Sequence, residues 1–138
     1  MTIGVIVGTF DMFHVGHLNL FINAKKNCDY LIVGVNSDNV VSRDKNIIPT
    51  ISQQDRLKIC KNIKQCDEAY IVNNNAYLFI KSLIKKGIKV NFYFRGNEIS
   101  ENIIKENDNI SRLGVKVVLF PYYKKISSTK IRNSFQKG

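Results

Sequence analysis

Ile3-Gly4-Val5-Ile6-Val7-Gly8 is a short β-rich run closed by glycine, and Thr9-Phe10-Asp11-Met12-Phe13-His14-Val15-Gly16-His17 follows it directly. The apolar run predicts a buried strand. Beyond it, Val15, Leu18, Phe21, Ile22 and Cys28 fall on one stripe of a helix over residues 15–27. Strand, polar loop and helix therefore succeed one another within the first 27 residues.

The same order repeats along the chain. Residues 30–35 read as a second strand, bounded by Asp29 and the polar turn Asn36-Ser37-Asp38, and residues 39–50, with Pro49, read as a loop. Ser52, with Asp55 three places on, caps a helix that continues through Leu57, Ile59, Cys60 and Ile63. A third strand is expected at 69–72 and a helix at 76–86, stopped by Gly87. Strands at 90–94 and 115–120 and a last helix from Ser127 complete the pattern. Alternation of this kind predicts an α/β fold: a Rossmann-like, doubly wound, five-stranded parallel sheet in three α/β/α layers. At 138 residues the whole chain, 1–138, is expected to be one domain. In such sheets ligands bind outside the carboxyl ends of the strands, where the strand order reverses.

Composition narrows the class. An apolar fraction of 44% supplies a core and excludes disorder. No apolar stretch is long enough for a membrane span, and no basic leader precedes the first apolar run. Cys28, Cys60 and Cys66 are odd in number and lack a CxxC spacing, which predicts reduced thiols in a cytoplasmic protein. Twenty-one Lys and Arg against eleven Asp and Glu give a net charge of +10. A nucleic-acid partner is one reading of that charge. Sixteen of the cations are lysine, so a compositional bias on solvated faces is the other. After Asp108 there is no acidic residue, while seven cations follow, so an anionic ligand is expected near the C-terminal end.

Three segments after predicted strands carry chemistry. The first holds the protein's two histidines, His14 and His17, on one face of a helix start with Gly16 between them. Imidazoles beside free backbone N–H groups suit a phosphate; a metal pair or a purely structural role are the rival readings. The second, Ile126-Ser127-Ser128-Thr129-Lys130-Ile131-Arg132, sets hydroxyls and cations at a helix start, more than capping requires. The third, Arg95-Gly96-Asn97-Glu98, reads as a turn that permits close backbone approach.

Gly8-Thr9-Phe10-Asp11 with His14-Val15-Gly16-His17 resembles the G-[TS]-F-D-x-x-H-x-G-H signature of the nucleotidylyltransferases. Ile126-Ser127-Ser128-Thr129 resembles their second signature, I-S-[ST]-[ST]. In length and motif spacing the chain is most similar to the glycerol-3-phosphate cytidylyltransferases. It departs from their R-T-x-G-I-S-T-T pattern, carrying Tyr122 and Lys125 where arginine and glycine are usual. It also has Gly96-Asn97-Glu98-Ile99 in place of G-D-D-W. The ending I-S-S-T-K-I-R is similar to adenylyltransferases as well, which keeps ATP open as donor.

The resemblance implies transfer of a nucleoside monophosphate, CMP from CTP, to a phosphorylated small acceptor such as glycerol 3-phosphate, releasing pyrophosphate. No protein nucleophile is required for such a step; positioning and electrostatics carry it. By the same resemblance His14 and His17 donate hydrogen bonds to phosphate oxygens, and Lys45 and Arg56 hold the acceptor phosphate or pyrophosphate. Gly8, Thr9, Phe10, Asp11, Gly16, Arg95, Gly96, Ile126, Ser127, Ser128 and Thr129 form the nucleotide site, with Asp11 orienting its loop. Mg2+ is expected to be held mainly through substrate phosphates rather than a protein cage. Relatives of this type form homodimers. The alternatives are an ATP-dependent member of the same superfamily, a member that binds nucleotide without turnover, and a non-catalytic basic module for nucleic acid.

Overall fold

β1 (Ile3–Gly8) is apolar on both faces, with Val5 and Ile6 fully buried, and it forms the middle of a five-stranded sheet. The computed structural model describes residues 1–98, 100–121 and 128–136. α1 (Val15–Lys26) leads to β2 (Tyr30–Asn36), then α2 (Asp38–Lys45), α3 (Gln53–Lys61) and β3 (Glu68–Val72). α4 (Ala76–Lys85), β4 (Phe92–Gly96), α5 (Glu101–Arg112), β5 (Lys116–Phe120) and α6 (Ser128–Gln136) follow.

All strand pairs are parallel, in the order β3-β2-β1-β4-β5, and Val5 pairs with Ile32 on one side and Tyr93 on the other. The chain winds outward from β1 to β3, then returns to the far side of β1 for β4 and β5. The reversal leaves a crevice between the carboxyl ends of β1 and β4, where the doubly wound expectation places a ligand. Alternate side chains of the central strands feed two cores. Ile6, Leu31, Val33 and Phe94 pack with Phe21 and Ala24 of α1 and Cys60 of α3. Val5, Ile32 and Tyr93 pack with Ile80 and Leu83 of α4 and Ile110 of α5. The three-layer arrangement agrees with the sequence pattern. Cys28, Cys60 and Cys66 are all free thiols, and no described helix is long and apolar enough to cross a membrane.

Three details correct the pattern. Residues 38–45 are helical rather than loop, because Ser37 caps them by accepting the Val40 N–H at 3.2 Å and Val40 and Val41 are buried beneath. Two apolar residues in eight give too weak a stripe to see in sequence. α5, unassigned by the pattern, is capped by Ser100 and buries only Ile110 fully. β4 starts at Phe92, two residues later than the apolar run suggests. By contrast, the Ser52 cap on α3 and the Gly87 stop after α4, at φ +89°, stand as expected.

Gly4 is required by contact rather than conformation. A Cβ there would lie 2.4 Å from the Phe94 ring and 2.9 Å from the Cys28 sulfur. Gly4→Ala is expected to lower stability by about 1–3 kcal/mol through overpacking, measured as a fall in the urea midpoint at unchanged m-value.

Candidate active site at the switch point

The loop after β1 is held in a costly conformation. Phe10 (φ 53°) and Met12 (φ 49°) both occupy the left-handed region that non-glycine residues avoid. Packing holds the first: the Phe10 ring is 3% exposed and meets Phe21 and His17 edge-on at 5.2 and 5.6 Å. The ring folds back over Gly8, where any Cβ would come within 2.7 Å of it. Glycine closes β1 for that reason.

Two buried charges lock this loop to its surroundings. The Asp11 carboxylate accepts the Thr50 and Ile51 N–H groups, each at 2.8 Å, and the Arg132 guanidinium at 2.9 Å. Burial on its own would raise the Asp11 pKa, but those three donors outweigh it and hold the carboxyl below its usual value. Its main-chain oxygen accepts the Ser128 hydroxyl, so α6 is tied to the loop twice. Arg56 is completely buried and donates to the carbonyls of Ile51 (2.9 Å), Thr9 (2.8 Å) and Asn36 (2.7 Å) and to the Asp38 carboxylate (2.6 Å).

That geometry corrects the expectation for Arg56. It does not face a substrate phosphate, because its side chain has no exposed surface and its donors are engaged by the ends of β1 and β2. Arg95 is likewise turned away from the crevice. It bonds Glu106 (3.1 Å) and Asn107 (2.9 Å) of α5 and lies over the Tyr93 ring. Ile126 and Ser127 lie outside the described residues, as do Tyr122 to Lys125.

His14 and His17 start α1 as a reciprocal cap. His14 Nδ1 accepts the Gly16 N–H at 3.0 Å, and His17 Nδ1 accepts the His14 N–H at 3.2 Å. A nitrogen that accepts carries no proton, so both rings are neutral with the proton on Nε2. The rings stack 3.8 Å apart. Burial, then His14 alongside and Lys45 nearby, drive the His17 pKa down to about 3 despite Asp11; burial lowers His14 too. Two neutral N–H donors are thus fixed at physiological pH.

Two adjoining cavities, of about 230 and 310 Å3, open at the carboxyl ends of β1 and β4 and share His17, Leu20, Lys45, Ser128 and Thr129. The smaller is bounded by Gly8, Thr9, Phe10 and Asp11 of the loop, Val41 of α2 and Arg132 of α6. The larger is bounded by His14, Gly16, Asn19 and Asn23 of α1, Gly96 and Glu98 after β4, and Phe120 and Pro121 after β5. The predicted residues Gly8, Thr9, Phe10, Asp11, His14, Gly16, His17, Lys45, Gly96, Ser128 and Thr129 therefore converge on one cleft. Arg132, Asn19, Asn23 and Glu98 join them without having been singled out as site residues. Asn19 and Asn23 lie three and seven places after Gly16, and that helical spacing is the signal that marks their face. Among the described residues no group of three or more His, Cys, Asp or Glu is placed to hold a metal ion.

A parallel, doubly wound sheet with histidines, hydroxyls and cations around its switch-point cleft defines a Rossmann-like nucleotide-binding protein. A family model described as Cytidylyltransferase-like matches residues 5–134, and the chain belongs to that family, within the nucleotidylyltransferase superfamily. Among curated relatives, the probable ethanolamine-phosphate cytidylyltransferase of Encephalitozoon cuniculi is 33% identical over 92 residues, covering 67% of this chain and 27% of that protein. The FAD synthase of Thermococcus sibiricus is 32% identical over 136 residues, covering 94% of this chain and 87% of that one. The chain spans about a quarter of the length of several curated relatives it matches. A solved structure, the lipopolysaccharide core biosynthesis protein from Thermoplasma volcanium, superposes with a TM-score of 0.71 at 25% identity, covering 91% of this chain and 99% of that one.

Two outcomes follow from the buried groups. Arg56→Met leaves Asp38 and three carbonyls without their donor, and is expected to cost about 3–5 kcal/mol in urea unfolding. For His17, the unfolded chain takes up a proton below about pH 6.5 while the folded ring does so only near pH 3. Stability from this group is therefore complete above pH 6.5 and is lost as the pH falls through that window. The melting temperature of His17→Gln should fall less steeply than the parent's between pH 6.5 and 4.5.

Proposed function

We propose that the protein transfers a nucleoside monophosphate from a nucleoside triphosphate, CTP in preference, to a phosphorylated small acceptor and releases pyrophosphate. One observation carries this reading: the two Nε2–H donors of His14 and His17, held neutral by the cap, face a cleft that also presents Lys45 and the Ser128 and Thr129 hydroxyls. An oxygen of the acceptor phosphate attacks the α-phosphorus, the bond to the β-phosphate oxygen breaks, and pyrophosphate leaves with the electron pair. His14 and His17 donate to the α- and β-phosphate oxygens as charge builds there, and their fixed tautomers need no reorganisation. Lys45 supplies the cation at the wall shared by the two cavities. Asp11 takes no part in bond making; it holds the loop and α6 in register.

The larger cavity suits the nucleoside, since Glu98, Asn19 and Asn23 offer acceptors and donors to base and ribose; the smaller, bounded by the Gly8 to Asp11 segment that the resemblance assigned to the nucleotide, is proposed instead for the acceptor. Among the described residues lining the cleft, the Asp11 carboxylate is already held by three donors and Glu98 is the other acid, so these side chains offer little to hold a magnesium ion by themselves. Mg2+ is accordingly proposed to enter with the triphosphate, held by its oxygens.

CTP is favoured by the family match and by the similarity to a cytidylyltransferase. A second reading, adenylyl transfer from ATP, is favoured by the nearly full-length similarity to an FAD synthase. Pyrophosphate release measured with CTP and with ATP against a panel of phosphorylated acceptors decides between them. His17→Ala is expected to lower kcat by roughly 10²–10³, and to cost only about 1 kcal/mol of stability through the lost cap. A variant within threefold of the parent in kcat would overturn the role given to His17.

A further inference from the structure

We infer that Gln53 is a positioning residue for the transfer, because the bond its side chain makes to the start of α2 sets where Lys45 stands in the cleft. The inference rests on the transfer reading above and on the role given there to Lys45. Asp38 opens α2, where a backbone N–H has no partner within the helix. Gln53, which opens α3, supplies one: its Oε1 accepts the Asp38 N–H at 2.9 Å. In return the Gln53 N–H donates to Asp38 Oδ2 at 3.3 Å, and Asp38 Oδ1 accepts from buried Arg56 at 2.6 Å. Two helix starts, 15 positions apart, are thereby clasped to each other and to the charge network beneath the loop after β1.

The clasp closes residues 38–53 into a loop that brings Val41, Lys45 and Ile47 to the cleft. Lys45 is the last residue of α2, and Asn46 leaves the helix in the left-handed region at φ 55°. The helix is held mainly at its start and along its underside. Ser37 donates its N–H to the Val72 carbonyl at 2.9 Å and caps Val40, while Val40 and Val41 are buried. Toward Lys45, the side-chain tie among the described residues is a 3.3 Å bond from exposed Arg43 to the Asn74 carbonyl. α2 is therefore a lever whose inner end Gln53 helps to fix. At a rise of about 1.5 Å per residue Lys45 stands about 10 Å along the helix from Asp38, so a tilt of about 10° moves it by about 2 Å. A misplacement of about 1 Å in a substrate-positioning group lowers the rate by as much as about 10².

A double-mutant cycle with Lys45 separates positioning from a purely stabilising role. Pyrophosphate release by the full chain is measured with CTP and ATP against glycerol 3-phosphate, phosphoethanolamine and glucose 1-phosphate, and the fastest pair is kept. Gln53→Ala is expected to lower kcat about tenfold while Lys45 is present. Gln53→Met, similar in length but also without the acceptor oxygen, should behave alike. In the Lys45→Met background the same two substitutions should change kcat by less than about twofold. The dissociation constant of the nucleotide, read by calorimetry, carries the same cycle, with the Gln53 effect again lost in that background. Gln54→Ala makes the same change at the exposed neighbouring position and should leave kcat within about twofold of the parent. Equal losses in both backgrounds, or a Gln53→Ala protein that melts lower yet keeps its kcat, overturn this inference and leave the transfer reading standing. A parent that releases no pyrophosphate with any of these pairs overturns both.

Discussion

Ile51 is gripped at both ends of its backbone by buried charge: its N–H goes to Asp11 and its carbonyl to Arg56. Through that pair the ends of β1 and β2, the segment before α3, and α6 are fixed to one another. Burying a guanidinium and a carboxylate is costly unless every donor and acceptor is matched. Here no described buried side-chain nitrogen or oxygen lacks a partner. Such a network tolerates little adjustment, since losing one contact leaves the others desolvated and unpaired. The cleft inherits its shape from this arrangement.

The strained loop is understandable on the same footing. Left-handed Phe10 and Met12 flank Asp11, and the turn they make delivers the Asp11 carboxylate to Thr50 and Ile51 while sealing Phe10 in the core. Strain of this kind persists only where surroundings over-determine it. The reward lies one residue pair further on, where His14 and His17 cap α1 with their Nδ1 atoms and so aim protonated Nε2 atoms outward. Capping, tautomer choice and the low basicity of His17 are one geometric fact seen three ways. A net charge of +10 does not by itself produce this. Of the acid-free segment after Asp108, Arg132 reaches the cleft wall and Arg112 bonds Asn109 within its own helix.

The strand–helix alternation, the caps at Ser52 and the Gly87 stop were legible because each is a local signal with a local cause. α2 and α5 were not, since each buries too few residues to make a clear stripe and depends on the sheet beneath it. Among the residues lining the cleft, the histidines, Thr9, Gly16, Ser128 and Thr129 could be named from motifs that crowd the ends of strands, and Lys45 from the family resemblance alone. Arg56 and Arg95 show where that approach fails. A guanidinium is drawn the same way in sequence whether it meets a phosphate, three carbonyls or an acidic helix.

By itself, then, the sequence determined the period of the apolar residues, the sheet class this implies, and the family signature carried by the segments after β1 and before α6. Only tertiary structure decided which charges face solvent, which face the cleft and which face each other. The physical reason is that side-chain type sets what a group can pair with, while the choice among partners belongs to residues far apart in the chain: Asp11 with Arg132, Arg56 with Thr9 and Asn36.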